Sequence, residues 1–175
     1  MSREVSGFAE GAVNMTEENQ PKQTTEEEVS EEDRTTSLGL FNFAEAFWRA
    51  AHILAKAEVE GGHADSPVRT LYYHAIELYL KALLRKSYSV DDLKNKFGHK
   101  FSRLATEAEA NGLTFDDEDR NVLALMGDSD VVMRARYIRT GSATFHTLEA
   151  LERTCKSLRE NVGELLRKAK VPVRL

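Results

Sequence analysis

Ser66-Pro67-Val68-Arg69-Thr70-Leu71-Tyr72-Tyr73-His74-Ala75-Ile76-Glu77-Leu78-Tyr79-Leu80-Lys81-Ala82-Leu83-Leu84-Arg85 is the stretch whose reading decides the fold. Ser66 offers a side-chain acceptor to a free N–H of a helical first turn. Pro67 follows where a missing N–H costs nothing. Leu71, Ala75, Leu78 and Ala82 form one row at spacings of three and four, and Tyr72, Ile76, Tyr79 and Leu83 form a second. Two such rows cover more than half of a helix surface, which predicts a central helix buried on most sides.

The flanks read as helices too. Phe41, Ala44, Phe47, Trp48, Ala51, Leu54 and Ala55 give an apolar stripe on a helix expected over residues 38–60, closed by Gly61-Gly62. The short link to Ser66 makes these two helices antiparallel neighbours. Ser89 and Asp92 form a capping arrangement for a short helix over 90–97. A third main helix is expected over 99–110, stopped by Asn111-Gly112, and a further one starts at Asp116-Asp117 and ends near Gly127. Residues 128–142 look irregular and carry Arg134, Arg136 and Arg139. A last helix over 144–170 holds Phe145, Leu148, Leu151, Cys155, Leu158, Val162, Leu165 and Leu166 on one stripe. The expected fold class is all-α: an antiparallel up-and-down bundle of four to five main helices over 38–171.

Residues 1–36 form a different kind of segment, rich in Glu, Gln, Thr and Ser, and are expected to be a disordered acidic tail. Residues 1–37 hold ten acidic and three basic residues, against 19 acidic and 21 basic in the rest. The tail is either a solubilising extension or an arm that covers a basic face. With one cysteine, Cys155, the chain has no internal disulfide and no cysteine-rich metal site, and the thiol reads as a small core residue. No leader segment and no span of ~20 apolar residues is visible, so a soluble cytoplasmic protein with no membrane partner is expected. No P-loop, dinucleotide fingerprint, zincin motif or serine-nucleophile elbow occurs. His74 with Glu77 and His146 with Glu149 place a histidine before a carboxylate, the reverse of the di-iron order, and further inward acids are missing. No metal and no cofactor are therefore expected.

Tyr73-His74-Ala75-Ile76-Glu77-Leu78-Tyr79-Leu80-Lys81-Ala82-Leu83-Leu84, followed by Gly98-His99-Lys100-Phe101 with Leu104 and Ala105, resembles the HEPN superfamily of small helical bundles over roughly residues 40–170. The resemblance implies a four- or five-helix bundle, commonly a homodimer. It also implies a role as a metal-independent ribonuclease or RNA-binding module, often in bacterial defence or toxin–antitoxin systems, or as a silent helical partner protein. Active members carry an Arg followed after four to six residues by a His near the final helix. Here that pattern falls on Arg139 and His146, although Thr140 stands where the family often has Asn, Asp or His, and Gly141-Ser142 interrupts the spacer.

That pair suits RNA cleavage without a metal. An imidazole can take the ribose 2′-hydroxyl proton, and a guanidinium can stabilise charge on the phosphate. Arg134 and Arg136 would then contact phosphates. The alternative makes all three arginines solvated loop residues paired with Asp128 and Asp130. Glu77 and Lys81 stand at i, i+4 in the favourable order for an ion pair. On a buried helix that pair needs partners, for which His74 is the candidate. His99 is expected to brace the following helix. A non-catalytic interaction or dimerisation domain is the other reading, with an apolar face around Phe41, Phe43, Phe47 and Trp48.

Overall fold

A computed structural model describes residues 31–57, 60, 63, 65–128, 131–137 and 144–175. Its helices are α1 (Glu31–Arg34), α2 (Ser37–Leu54), α3 (Asp65–Leu84), α4 (Phe101–Ala110), α5 (Asp117–Asp128), α6 (Val131–Arg136) and α7 (Leu148–Lys168), with a π-helical turn, Asp92–Phe97, between α3 and α4. The fold is an all-α bundle, and no strand occurs among the described residues.

The stretch read first is the axis of the bundle. From Tyr72 to Leu84, only His74 and Lys81 escape burial. The remainder packs against α2, α4, α6 and α7. α3 begins at Asp65, one residue before the expected cap, so Ser66 lies within the first turn, where its carbonyl accepts from Thr70 Oγ1 at 2.9 Å. α2 is shorter than its stripe suggested, ending at Leu54. Gly61-Gly62 lies outside the described residues. α2 and α3 are antiparallel: Arg85 Nε donates to the Thr35 carbonyl at one end, and Phe47 meets the His74 ring edge-on further along.

Ser89 and Asp92 form the expected reciprocal cap. Ser89 Oγ accepts from the Asp92 N–H at 3.0 Å, and Asp92 Oδ2 receives the Ser89 hydroxyl at 2.9 Å. The segment they open is π-helical rather than α-helical, and it closes with Gly98 N–H donating to the Leu93 carbonyl. It folds the chain back beside α3. α4 therefore starts near the middle of α3, where His99 meets Glu77, and ends beside its C-terminus, where Ser87 meets Asn111. α4 stops in a Schellman closure, with Leu113 N–H to the Ala108 carbonyl and Gly112 N–H to the Glu109 carbonyl. Gly112 takes the φ of 91° that this geometry requires.

α5 is capped by Asp116, whose Oδ1 accepts the Asp119 N–H at 2.8 Å. It packs antiparallel to α4 and α7. α6 falls in the stretch expected to be irregular. Its Val131, Val132 and Ala135 are buried, and the Ala135 carbonyl accepts from Thr70 Oγ1 of α3. The last helix starts later than expected. Thr147 Oγ1 caps the Ala150 N–H, so His146 precedes the helix instead of lying in its first turn. Leu151, Cys155, Leu158, Val162 and Leu166 fill the core from α7.

Of the segment expected to be a disordered tail, residues 31–36 form α1 and the Thr36 cap of α2. Residues 1–30 lie outside the described residues. No helix among the described residues is long and apolar enough to cross a membrane.

Candidate functional site

Glu77 is 2 % exposed, on the inner side of α3. A carboxylate taken that far from water must be paired. Lys81 Nζ, one turn along, donates to its Oε1 at 2.6 Å, and His99 Nδ1 lies 2.8 Å from its Oε2. The expected i, i+4 pair is therefore present, and the second partner is His99 rather than His74. His99 braces the return of the chain to α3. It is the π-helical turn that delivers it there.

His74 sits one turn N-terminal to Glu77, against the aromatic side chains of α2. Its ring packs edge-on to Phe47 at 4.3 Å and Phe43 at 6.2 Å, and its Nδ1 is buried without a hydrogen-bond partner. Burial pushes its pKa below the ordinary imidazole range. Glu77 works the other way, while Arg136, Lys81 and His99 lower it further. Lys81 and His99 both rest on Glu77, one turn further along α3. Phe43 is 54 % exposed beside the His74 ring, Met133 on α6 is 40 % exposed, and Tyr137, just after α6, is 59 % exposed. Both helices that carry Phe43 and Met133 pack against α3.

The other expected residues are distributed differently. His146 is 8 % exposed, and its Nδ1 lies 3.2 Å from the Tyr73 hydroxyl. Its Nε2 makes no hydrogen bond of normal geometry, although the Val122 carbonyl approaches the ring and favours its charged form. Burial dominates and pushes the His146 pKa down, and Arg69 adds to the effect. Burial likewise pushes the Tyr73 phenol up to about 12, so it stays a donor. Arg69 holds the backbone here: its Nε donates to the His146 carbonyl at 3.3 Å, and its guanidinium lies 5.2 Å from the centre of the Phe145 ring. Arg139 lies outside the described residues, as does Asp130. Arg134 is half-buried and Arg136 exposed, both on α6.

Phe41, expected on an apolar outer face, is wholly buried against Tyr79 instead. Trp48 is half-buried, with its indole N–H donated to Glu152. Of that proposed face, Phe43 is exposed and Phe47 and Trp48 are half-buried. A groove of about 240 Å³ between α4 and α5, lined by Ser102, Phe115 and Leu123, holds none of the candidate residues, and the Glu109–Arg120 ion pair neutralises its charge.

Two features escaped the sequence reading. Residues 85–103 carry six basic residues (Arg85, Lys86, Lys94, Lys96, Lys100, Arg103) against two acidic ones. They form a basic connector beside α3, with Lys96 Nζ 4.6 Å from the centre of the Tyr88 ring. A local charge count would have found it. The second feature is Glu45, a buried carboxylate that joins three helices.

The two histidines set a pH dependence. Their folded pKa values lie below that of a free imidazole, near 6.5. The unfolded chain therefore binds protons first, and stability is full above pH ~6.5 and declines as pH falls toward the folded values. The urea midpoint is expected to drop between pH 7 and pH 5.5, and His74→Phe, which fits the Phe43–Phe47 ring cluster, to make that drop shallower. An unchanged slope in the variant would remove His74 from this account.

No family model, curated protein or solved structure matches the chain.

Proposed function

We propose that this chain is an HEPN-like module that binds RNA, in the bacterial defence or toxin–antitoxin setting that the resemblance implies. The observation that carries the reading is the exposed Phe43 ring packed edge-on to His74, one turn from the Lys81–Glu77–His99 cluster, with Arg136 exposed on α6, which also packs on α3. Single-stranded RNA is held by stacking bases on aromatic side chains and by cations along its phosphates, and both elements are present here. Binding is favoured over cleavage because His146 is covered. A general base must come within hydrogen-bond reach of the hydroxyl it deprotonates. A metal-independent ribonuclease in which Arg139 and His146 act together is the catalytic form of the same proposal. It requires His146 to be uncovered, for instance across a homodimer axis.

The test is fluorescence anisotropy with a labelled single-stranded oligoribonucleotide, alongside cleavage of the same RNA with and without EDTA. Phe43→Ala is expected to weaken binding about tenfold, the loss of one stacked base. Arg136→Ala should reduce the slope of log affinity against log salt by about 0.7. Cleavage that survives EDTA and vanishes in both Arg139→Ala and His146→Ala would establish the ribonuclease form. Neither binding nor cleavage would overturn the RNA reading.

A second reading has its own support. Phe43, Met133 and Tyr137 are large apolar side chains left at the surface. Such exposure suits a helical protein-interaction or dimerisation domain. Phe43→Ala would then disrupt a protein complex and leave RNA affinity unchanged.

A further inference from the structure

The first described residues lie on the basic connector. Glu32 of α1 pairs with Arg85 at 2.7 Å, and its other carboxylate oxygen accepts the Val90 N–H at 2.9 Å. Arg85 answers with its whole guanidinium: Nη2 donates to the Glu32 carbonyl, Nε to the Thr35 carbonyl and Nη1 to the Tyr88 carbonyl. One arginine thus fastens the end of the acidic segment to the start of the basic one. Beyond that anchor, Lys86, Lys96, Lys100 and Arg103 are exposed, and the connector rejoins α3 through His99. Of its two acids, Asp92 is occupied by the Ser89 cap.

Residues 1–30 continue directly from this anchor and hold seven acidic residues against two basic ones. Glu26, Glu27 and Glu28 lie within five residues of Glu31, so they stay within about 17 Å of it even when fully extended. Charges held that close to an opposite cluster are concentrated by their tether.

We propose that the acidic segment around Glu26–Glu28 docks on the basic connector, residues 86–103, and competes there with RNA. The docking stands on the anchor and on the charge of the two segments. Only its competition with RNA rests on the proposed function. The segment is an intramolecular stand-in for a phosphate backbone: it covers the exposed Lys96 and Lys100 of the connector until RNA displaces it. High salt weakens the docking, since the screening length falls to about 3 Å at 1 M.

The test uses the full chain with a nitroxide on Thr24→Cys. The native Cys155 is fully buried and does not compete for the label. Amide resonances of residues 94–100 are expected to broaden at low salt and to recover at about 1 M salt. They should also recover in Glu26→Gln/Glu27→Gln/Glu28→Gln. Without the nitroxide, that triple variant is expected to bind the oligoribonucleotide about tenfold more tightly at low salt and equally at high salt. No broadening at low salt, or broadening that persists in the triple variant, would overturn the docking. Broadening with unchanged RNA affinity would overturn the competition. Broadening in a chain that binds no RNA would support the docking and overturn the RNA reading.

Discussion

Replacing Glu77 with alanine lowers the free energy of unfolding by about 3–5 kcal/mol, the range for breaking a buried ion pair from one side. The carboxylate is almost wholly enclosed, and both its oxygens are used, by Lys81 and by His99. Without it the Lys81 ammonium, 14 % exposed, has lost its partner inside the bundle. His99 loses the contact that returns the connector to α3. The charge, more than the packing, makes the truncation costly. A Glu77→Leu/Lys81→Met double variant, which removes both ions and keeps the volume, is therefore expected to recover most of the loss. Urea denaturation at pH 7 measures both. A Glu77→Ala loss below about 1 kcal/mol would show that water reaches the pair and that it behaves as a surface ion pair.

Glu45→Ala is expected to cost about 3 kcal/mol by the same physics in another place. Glu45 Oε1 accepts from the Tyr79 hydroxyl at 2.8 Å and from Arg159 Nε at 2.6 Å, joining α2 to α3 and α7. Burial raises the Tyr79 pKa far above the ordinary phenol range, so the hydroxyl remains a donor. Truncation strands that donor and the Arg159 cation together. Arg49 provides the control. It also pairs with Glu45, at 3.0 Å, but is exposed and at i, i+4. Arg49→Ala is expected to cost no more than about 0.5 kcal/mol. Equal losses in the two variants would mean that the exposed pair, and not the interhelical one, carries Glu45.

Much of this architecture can be read from apolar spacing. α3 was legible because two apolar rows leave no polar face wide enough for solvent, and it is enclosed accordingly. The Ser89–Asp92 cap was legible because a capping box needs only local residues. Whether the turn after it is α or π depends on whether its N–H groups reach the fifth carbonyl back, as Gly98 N–H reaches Leu93, rather than the fourth. No residue pattern encodes that choice. α6 escaped because six residues are too few to display a period, and three arginines in the region suggested a loop. Glu45 escaped because a lone Glu within a helix reads as solvated, and its decisive partner, Arg159, lies 114 positions away.

The candidate site was legible in part. Glu77 with Lys81 follows from i, i+4 spacing. His99 as their partner requires the chain to reverse beside α3, which is a tertiary fact. His146 was read as a first-turn residue because the apolar stripe starts at Phe145. Thr147 has the stronger claim on the helix start, since its hydroxyl caps the Ala150 N–H.

The central position of α3 governs how the protein opens. α2, α4, α6 and α7 all rest on it, so its amides can meet solvent only when those neighbours have left. Hydrogen exchange in the Tyr79–Leu84 turns would therefore report the global unfolding free energy, and any variant's ΔΔG would appear there undiluted. α5 rests mainly on α4, α6 and α7. It can detach in a smaller opening with α3 still enclosed, so the protein divides into a core that opens as a whole and a rim that opens more readily.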